Sequence, residues 1–478
     1  MPFHSFAFLG FLIATLCLCL PLARRSVRAG KWLLLLASWV FYLWGFGSHA
    51  LAGFAVLLAG AGVTVLTQRR LGGERDEATR RRVLFGAAAW HIGVLLVFKY
   101  TGFFTGGAVS LGFAPLGLSF FTFQQLWYLK AISAGEFAPQ PAADFLLYAF
   151  FFPTVSSGPI LRPQAFFPQL GEGTFLRPGG QDGAAGLYLF SIGLAKKVLL
   201  ADAFAVLVNN GYAHPERLTA PGAWLVILGY TLQLYFDFSG YCDMATGVAR
   251  LLGLRLPANF NSPYRALSVG DFWKRWHITL TTFLRECLYF PLGGSKRGTA
   301  RTYGNILLVF CVSGLWHGAG WTFLLWGGLH GLAQIAERAW GPSRDRLPKG
   351  VRWAMTFCFV NLAWVLFRAP TVPGAVQVLS AAVSGGGGLS LSWLAEGLLS
   401  GEMNAVATLI PAWAGGFRRL AVAALYGTGL TAALWPQNAL SRMDRFRPSA
   451  WRAVVCGILL GWSVLSFTGV TTFLYSNF

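Results

Sequence analysis

The feature that most constrains this chain is the length of its apolar runs. Stretches of about 15 to 25 residues recur along it, the length that crosses a bilayer core of roughly 30 Å as a helix. They lie near residues 5–22, 32–45, 50–67, 84–98, 102–126, 143–155, 183–207, 222–250, 303–316, 320–336, 353–367, 420–435 and 453–475. In hydrocarbon only helices and closed barrels satisfy every backbone N–H and C=O, so runs of this length read as helices. Of the 478 residues, 55% are hydrophobic and only 12% charged, which leaves too little polar surface for a separate soluble domain. The expectation is an all-α, polytopic integral membrane protein, one multi-pass domain over residues 1–478. Roughly 10 to 12 crossings are expected, with the short or glycine-broken runs as re-entrant pieces.

The formal net charge is +20. A nucleic-acid-binding face would need a soluble domain to carry it, and here the basic residues sit in short loops between apolar runs, so nucleic acid is excluded as a partner. Arg24, Arg25, Arg28 and Lys31 form one cluster, and Arg69, Arg70, Arg75, Arg80, Arg81 and Arg82 the next, two spans later. Arg338, Arg344, Arg346, Lys349 and Arg352, then Arg442, Arg445, Arg447 and Arg452, are again two spans apart if 371–415 stays outside. Short basic loops stay cytoplasmic, so all four clusters are assigned to that side. The start, "MPFHSF", has no basic residue before the first run, which argues for an outside N-terminus and against a cleaved signal peptide. The closing "TTFLYSNF" also comes out external. The stretch 371–415, with "SGGGG" at 384–388, reads as an external loop with short surface helices. The seven cysteines show no metal-ligand spacing and read as small hydrophobes; no metal is expected.

Polar groups in a membrane protein are costly, and so are paired, water-facing or functional. They concentrate between residues 230 and 331. In "LYFDFSGYCDMATGVARLLG", Asp237 and Asp243 lie in an apolar helix, and the spacing puts Asp243 and Arg250 on one face. A buried ion pair, an acid bonded to a neighbouring helix and participation in chemistry all fit. In "SVGDFWKRWHITLTTFLRECLYF", Ser268 followed by Asp271 resembles a capping box and predicts a helix from about residue 269. Trp273, Trp276, Leu280, Phe283, Leu284 and Cys287 form its apolar stripe, with Lys274, Arg275, Thr281, Thr282 and Arg285 opposite. Such a helix, carrying His277, is expected to lie in the membrane interface. The basic turn "PLGGSKRG" with Lys296 and Arg297 suits lipid headgroups or a phosphate.

"FCVSGLWHGAGWTFLLWGGLH", residues 310–330, places a histidine in an otherwise membrane-like stretch. Gly314, Gly318 and Gly320 leave the backbone bare around His317, so a close approach is expected there. An imidazole between Trp316 and Trp321 is expected to be neutral and therefore a competent general base, although a helix-packing role fits as well. His330, placed near the next helix end, reads as structural.

Six stretches together resemble the membrane-bound O-acyltransferases, in particular the bacterial alginate O-acetylation branch: "PLGLSFFTFQQLWY" (115–128), "FFPTVSSGPILRPQAFFPQL" (151–170), "LAKKVLLADAF" (194–204), "YFDFSGYCDMATGVARLLG" (235–253), "NFNSPYRALSVGDFWKRWHITLTTFLRECLYFPLGG" (259–294) and "GLWHGAGWTFLLWGGLHG" (314–331). The resemblance covers about residues 90–336. It implies a helical funnel with a buried site reached from both faces, in the bacterial inner membrane. It implies cytosolic acetyl-CoA as donor, with no further cofactor, and an extracytoplasmic polysaccharide as acceptor, by way of a periplasmic SGNH-type acetyltransferase partner. By motif, His317 matches the family's catalytic histidine and His277 the second histidine of the branch. Asp237, Asp243 and Arg285 would then be supporting polar groups, and Lys274, Arg275, Lys296 and Arg297 candidates for the CoA phosphates. A D-alanyl transfer protein of the teichoic-acid type, fed by a carrier protein, shares the histidines. A proton-coupled transporter would show inverted repeats, and none is visible.

In a cysteine-free background, a cysteine in the 69–82 or 341–352 loop is expected to resist an impermeant thiol reagent in intact cells, and one near Gly386 to react. The opposite labelling pattern inverts this topology.

Overall fold

The computed structural model describes residues 2–467 and 474, apart from 46, 75, 110, 439, 440, 442, 444 and 445. Arg75, Arg442, Arg445 and all of "TTFLYSNF" except Leu474 lie outside the described residues. The fold is all-α, with no strand among the described residues. The first four helices are α1 (Phe6–Arg25), α2 (Val27–Gly45), α3 (Ala50–Gly73) and α4 (Glu77–Phe104). A block of mostly shorter ones follows, with the long α10 among them: α5 (Leu118–Ser133), α6 (Ala142–Phe150), α7 (Pro163–Leu170), α8 (Gly180–Ala195), α9 (Asp202–Ala213), α10 (Ala220–Leu251), α11 (Val269–Arg275) and α12 (Ile278–Leu284). The remainder are α13 (Thr299–His317), α14 (Trp321–Trp340), α15 (Lys349–Arg368), α16 (Val372–Ser384), α17 (Leu391–Leu394), α18 (Ser400–Leu409), α19 (Ala414–Leu434) and α20 (Ala450–Leu465).

Among the described residues, four segments are long and apolar enough to cross a membrane on those grounds alone: Phe6–Arg25, Gly47–Gly73, Glu77–Phe104 and Lys349–Arg368. Most of the other apolar runs are carried by helices that are shorter, broken or charged.

The central element is α10, buried on every side from Gly229 to Arg250, as befits a helix that is apolar all round. It packs against α8 along a glycine seam. Gly186 and Gly193 stand seven residues apart on α8, as do Gly240 and Gly247 on α10, so each pair shares one helix face. A Cβ on Gly193 would sit 2.6 Å from the carbonyl oxygen of Gly240, and one on Gly247 would sit 2.6 Å from that of Gly186. No side chain fits between these backbones.

Just past the seam the rod α8–α9 contains a π-helical turn, Lys196–Ala201, which rotates two consecutive lysines toward α10. Lys196 Nζ pairs with Asp243 at 2.6 Å, and Lys197 Nζ bridges Asp237 and Asp202, both at 2.8 Å. Asp243 and Arg250 share a face of α10 as the spacing requires, and of the alternatives for Asp243 the acid bonded to a neighbouring helix is the one observed. Arg250 reaches toward Asp182 at 3.5 Å.

Two expectations are corrected. The stretch 269–287 is not one helix, and its apolar stripe packs into the protein. It breaks at Trp276–His277 into α11 and α12, with Trp273, Trp276, His277, Leu280 and Phe283 all buried. The predicted start at Ser268 does hold: its Oγ accepts the Asp271 N–H at 2.8 Å. Glu337 of α14 adds a second cap, accepting the N–H groups of Val269 and Gly270 at 2.7 and 3.0 Å. The stretch expected as an external loop begins instead with α16, which buries Ala375, Val378 and Ala382 against the start of α10 and the end of α15. Only α17 and α18 are short surface helices.

Gly240→Ala places a Cβ 2.7 Å from the Gly193 carbonyl and is expected to destabilise by about 1–3 kcal/mol, the usual cost of overpacking. Gly457→Ala, where nothing lies within 4 Å, serves as control. Equal thermal unfolding of the two variants in detergent contradicts the seam.

Candidate active site

His317 is the last residue of α13, and α14 begins after a three-residue link. The two helices fold back on one another at Gly314 and Gly327. A Cβ on Gly314 would lie 2.2 Å from the Phe323 carbonyl oxygen, and one on Gly327 would lie 2.2 Å from that of Phe310. The ring of Phe323 fills the space beside Gly318. What approaches the bare backbone is thus the chain's own next helix. Gly320 has no such neighbour.

The carbonyls that end α13 are met by α4. Lys99 Nζ donates to the Trp316 carbonyl and, at 3.3 Å, to Ser119 Oγ, and the Tyr100 hydroxyl donates to the Leu315 carbonyl at 2.5 Å. A cation on the orphan carbonyls of a helix C-terminus is favourable, and here it fixes the turn that presents His317. A lysine set among apolar residues, as Lys99 is, was the signal that could have marked it for a role.

His277 occupies the break between α11 and α12 with left-handed backbone angles, φ 44° and ψ 53°. For a residue other than glycine this costs on the order of 1 kcal/mol. Asn259 holds the strained turn. Its backbone carbonyl accepts the Ile278 N–H at 3.0 Å, and its side-chain Oδ1 accepts the N–H and hydroxyl of Thr279 at 3.1 and 2.9 Å. The same oxygen lies 3.2 Å from His277 Nδ1. Because Oδ1 is an acceptor, the proton belongs on Nδ1, which makes Nε2 the basic nitrogen.

The two imidazoles meet, with ring centroids 6.3 Å apart. Around them stand Trp316 and Phe238, at 5.9 and 4.8 Å from His277, and Trp326 and Phe367, at 5.3 and 5.1 Å from His317. Both histidines are buried, at 0% and 2% exposure, so the pair is kept from bulk water. His330 is not near a helix end but midway along α14. Its Nδ1 accepts the Trp273 indole N–H at 3.1 Å, a structural role.

The other candidates divide. Asp237 and Asp243 are committed to the lysine pairs of the π turn and support the fold around the histidines. Arg285, at the start of a second π-helical turn, is exposed and does not join them. Lys274, Lys296 and Arg297 are exposed, whereas Arg275 pairs with Asp271 at 2.8 Å. Sequence reasoning gave no role to Asn259, Lys99, Lys196 or Lys197.

Cavities approach the pair from two ends. At the end that carries the basic loops, adjoining clefts share Arg250 and Arg255, and one of about 340 Å³ runs in to Asn261 and Ile278, beside His277. At the far end, a cavity of about 450 Å³ reaches Ala319, Gly320 and Phe367, beside His317. A buried imidazole pair between two opposed openings suits group transfer from a ligand on one side to a ligand on the other.

The sequence profile of the membrane-bound O-acyltransferase family matches residues 85–372. The chain is 35% identical over 434 residues to the peptidoglycan O-acetyltransferase of Helicobacter pylori, covering 83% of this chain and 81% of that one. It is 37% identical over 377 residues to the probable alginate O-acetylase AlgI of Pseudomonas aeruginosa, covering 74% and 70%. It is 28% identical over 272 residues to the teichoic acid D-alanyltransferase of Bacillus subtilis, covering 53% and 68%. With the family profile spanning more than half of its length, this chain is a member of the membrane-bound O-acyltransferase family, a membrane-bound enzyme that transfers acyl groups to oxygen.

Proposed function

We propose that the chain moves an acetyl group from cytosolic acetyl-CoA through the inner membrane to a hydroxyl on the outer side, for O-acetylation of an extracytoplasmic polysaccharide by way of a periplasmic partner. The observation that carries the reading is the buried His277–His317 pair set between two opposed cavities. Short basic loops cluster at one end, which by charge asymmetry is the cytosolic one. The thioester then arrives from the Arg250–Arg255 end and the accepting hydroxyl from the far end.

His317 takes the proton of the accepting hydroxyl as its oxygen attacks the thioester carbonyl. The tetrahedral adduct collapses, the carbon–sulfur bond breaks, and the departing thiolate takes the proton back from the imidazolium. The product is an oxygen ester and free CoA. His277 Nε2, basic because Nδ1 keeps its proton and donates it in a hydrogen bond to Asn259 Oδ1, is a second acceptor within the same chamber. The relatives named for O-acetylation, at 35% and 37% identity, favour an acetyl group over the D-alanyl group named for the relative at 28%.

His317→Ala is expected to lower acetyl transfer in proteoliposomes by about 10² to 10⁴, with normal membrane insertion. Near-normal turnover in this variant excludes the base role. Asn259→Leu, which releases the His277 turn and removes the acceptor of its Nδ1–H, is expected to reduce turnover more than it raises the acetyl-CoA Michaelis constant.

The exposed cations around α11 and the following turn are expected to meet the donor's phosphates. Replacing Lys274, Arg275, Lys296 and Arg297 by glutamine should raise the Michaelis constant for acetyl-CoA more than it lowers turnover, because contacts remote from the reacting carbonyl supply mostly uniform binding. An unchanged donor constant with reduced yield assigns these side chains to lipid headgroups instead.

A further inference from the structure

A base that takes a proton from a hydroxyl also takes one from water. Water attacking the thioester carbonyl would form a carbon–oxygen bond and break the carbon–sulfur bond, and the thiolate would leave with the proton that His317 had held, giving acetic acid and free CoA. Closed sites suppress such a side reaction by excluding water. In a chamber approached by two cavities, the outcome turns on what stands between His317 and the far one.

Phe367 does. It sits in the last turn of α15 and lines the far cavity, and its ring meets the His317 imidazole at 5.1 Å between centroids and 70° between planes. The same ring thus touches the cavity and the base, while both residues stay at 2% exposure. Three further rings hold it: Trp326 at 5.0 Å, Trp364 at 5.2 Å and Phe323 at 5.1 Å. The two indoles belong to the buried core. Phe323 is half-buried and lines the same cavity, with its ring laid so close to Gly318 that a Cβ there would sit 2.1 Å from it. Edge contacts of this kind leave no room for a water molecule between the rings.

We propose that Phe367, steadied by Phe323, is the specificity-determining residue that reserves the acetyl group for an acceptor hydroxyl over water. With the rings in place, water in the far cavity does not reach His317, and an acceptor entering that cavity reaches it by displacing them. A lone water has too little contact surface to move two packed rings, whereas a larger acceptor replaces the ring contacts with its own. The donor end carries rings of its own, Phe260 lining the cleft of about 340 Å³ and Phe238 in contact with Phe260 at 5.0 Å and with His277 at 4.8 Å. The proposal rests on the reading that His317 is the base and that the thioester arrives from that other end.

The test uses the full chain purified in detergent, with acetyl-CoA and no acceptor, and reads released CoA as free thiol. Phe367→Ala and the milder Phe367→Leu are expected to release CoA about tenfold and about threefold faster than wild type, and adding His317→Ala should remove the gain. A loosened fold does not by itself create a reaction that depends on His317. A second measurement needs no donor: exchange of the imidazole Cε1 hydrogen in D2O, followed by mass spectrometry. It is expected to be several-fold faster at His317 in Phe367→Ala and unchanged at His330, which is 0% exposed and bonded to Trp273. Should Phe367→Ala unfold, speeding exchange at both histidines, Phe367→Leu decides by the same criteria. Unchanged exchange at His317 in both Phe367 variants overturns the proposal, whatever the donor. So does faster exchange without added CoA release, where the wild type transfers acetyl in proteoliposomes. Faster exchange in a protein whose wild type does not transfer acetyl keeps the barrier and removes the donor. A gain in release that survives His317→Ala keeps the barrier and removes the base.

Discussion

The close approach of α8 and α10 is the constraint on which the rest of the molecule depends. Four glycines bring two backbones together where no side chain fits, and only at that separation do Lys196 and Lys197 reach Asp243 and Asp237. Removing one partner of a buried ion pair typically costs 3–5 kcal/mol, because it strands the other. The seam and the salt bridges therefore specify each other: the glycines set the distance, and the charges set the register and rotation. A π turn is the device that reconciles them, since two consecutive lysines in a regular helix would point about 100° apart.

With α10 held, the site is assembled from its flanks. Phe238 supplies the wall against His277, and the turn 259–261 after α10 supplies Asn259, which dictates both the backbone and the tautomer of that histidine. On the other side, α4 grips the end of α13 through Lys99 and Tyr100. Each imidazole is thus oriented by a group far from it in sequence, the usual condition for a preorganised site. The aromatic surroundings keep water out, which strengthens the few polar contacts that remain.

Much of this was legible beforehand. The apolar run lengths required helices, Ser268 and Asp271 marked the start of α11, and a histidine amid glycine and tryptophan marked the site. What could not be read was non-local. Nothing between residues 269 and 287 signals the break at His277, since the apolar stripe continues across it. The reason lies in Asn259, whose main-chain and side-chain oxygens offer the freed N–H groups better partners than a continuous helix would. The same holds for Asp243. Its helical neighbour Arg250 was visible in the spacing, but Lys196 on another helix was closer in space. The seven-residue glycine spacing on α8 and α10 was present in the sequence and is, in retrospect, the signal that these two helices touch.

The left-handed turn at residue 277 bears on how this family can diverge. Asparagine and glycine tolerate that backbone region better than most residues, whereas valine, isoleucine and threonine are poorly suited to it. The fold therefore does not depend on an imidazole there, only on a residue that accepts the turn. A descendant that lost the chemistry would keep its architecture most easily through His277→Asn or His277→Gly, and it would still pass for an active relative by overall identity. If His277 takes the part proposed for it, a genomic survey that sorts members by the residue at this one position, before any similarity score, would separate working transferases from scaffolds that have kept only the shape.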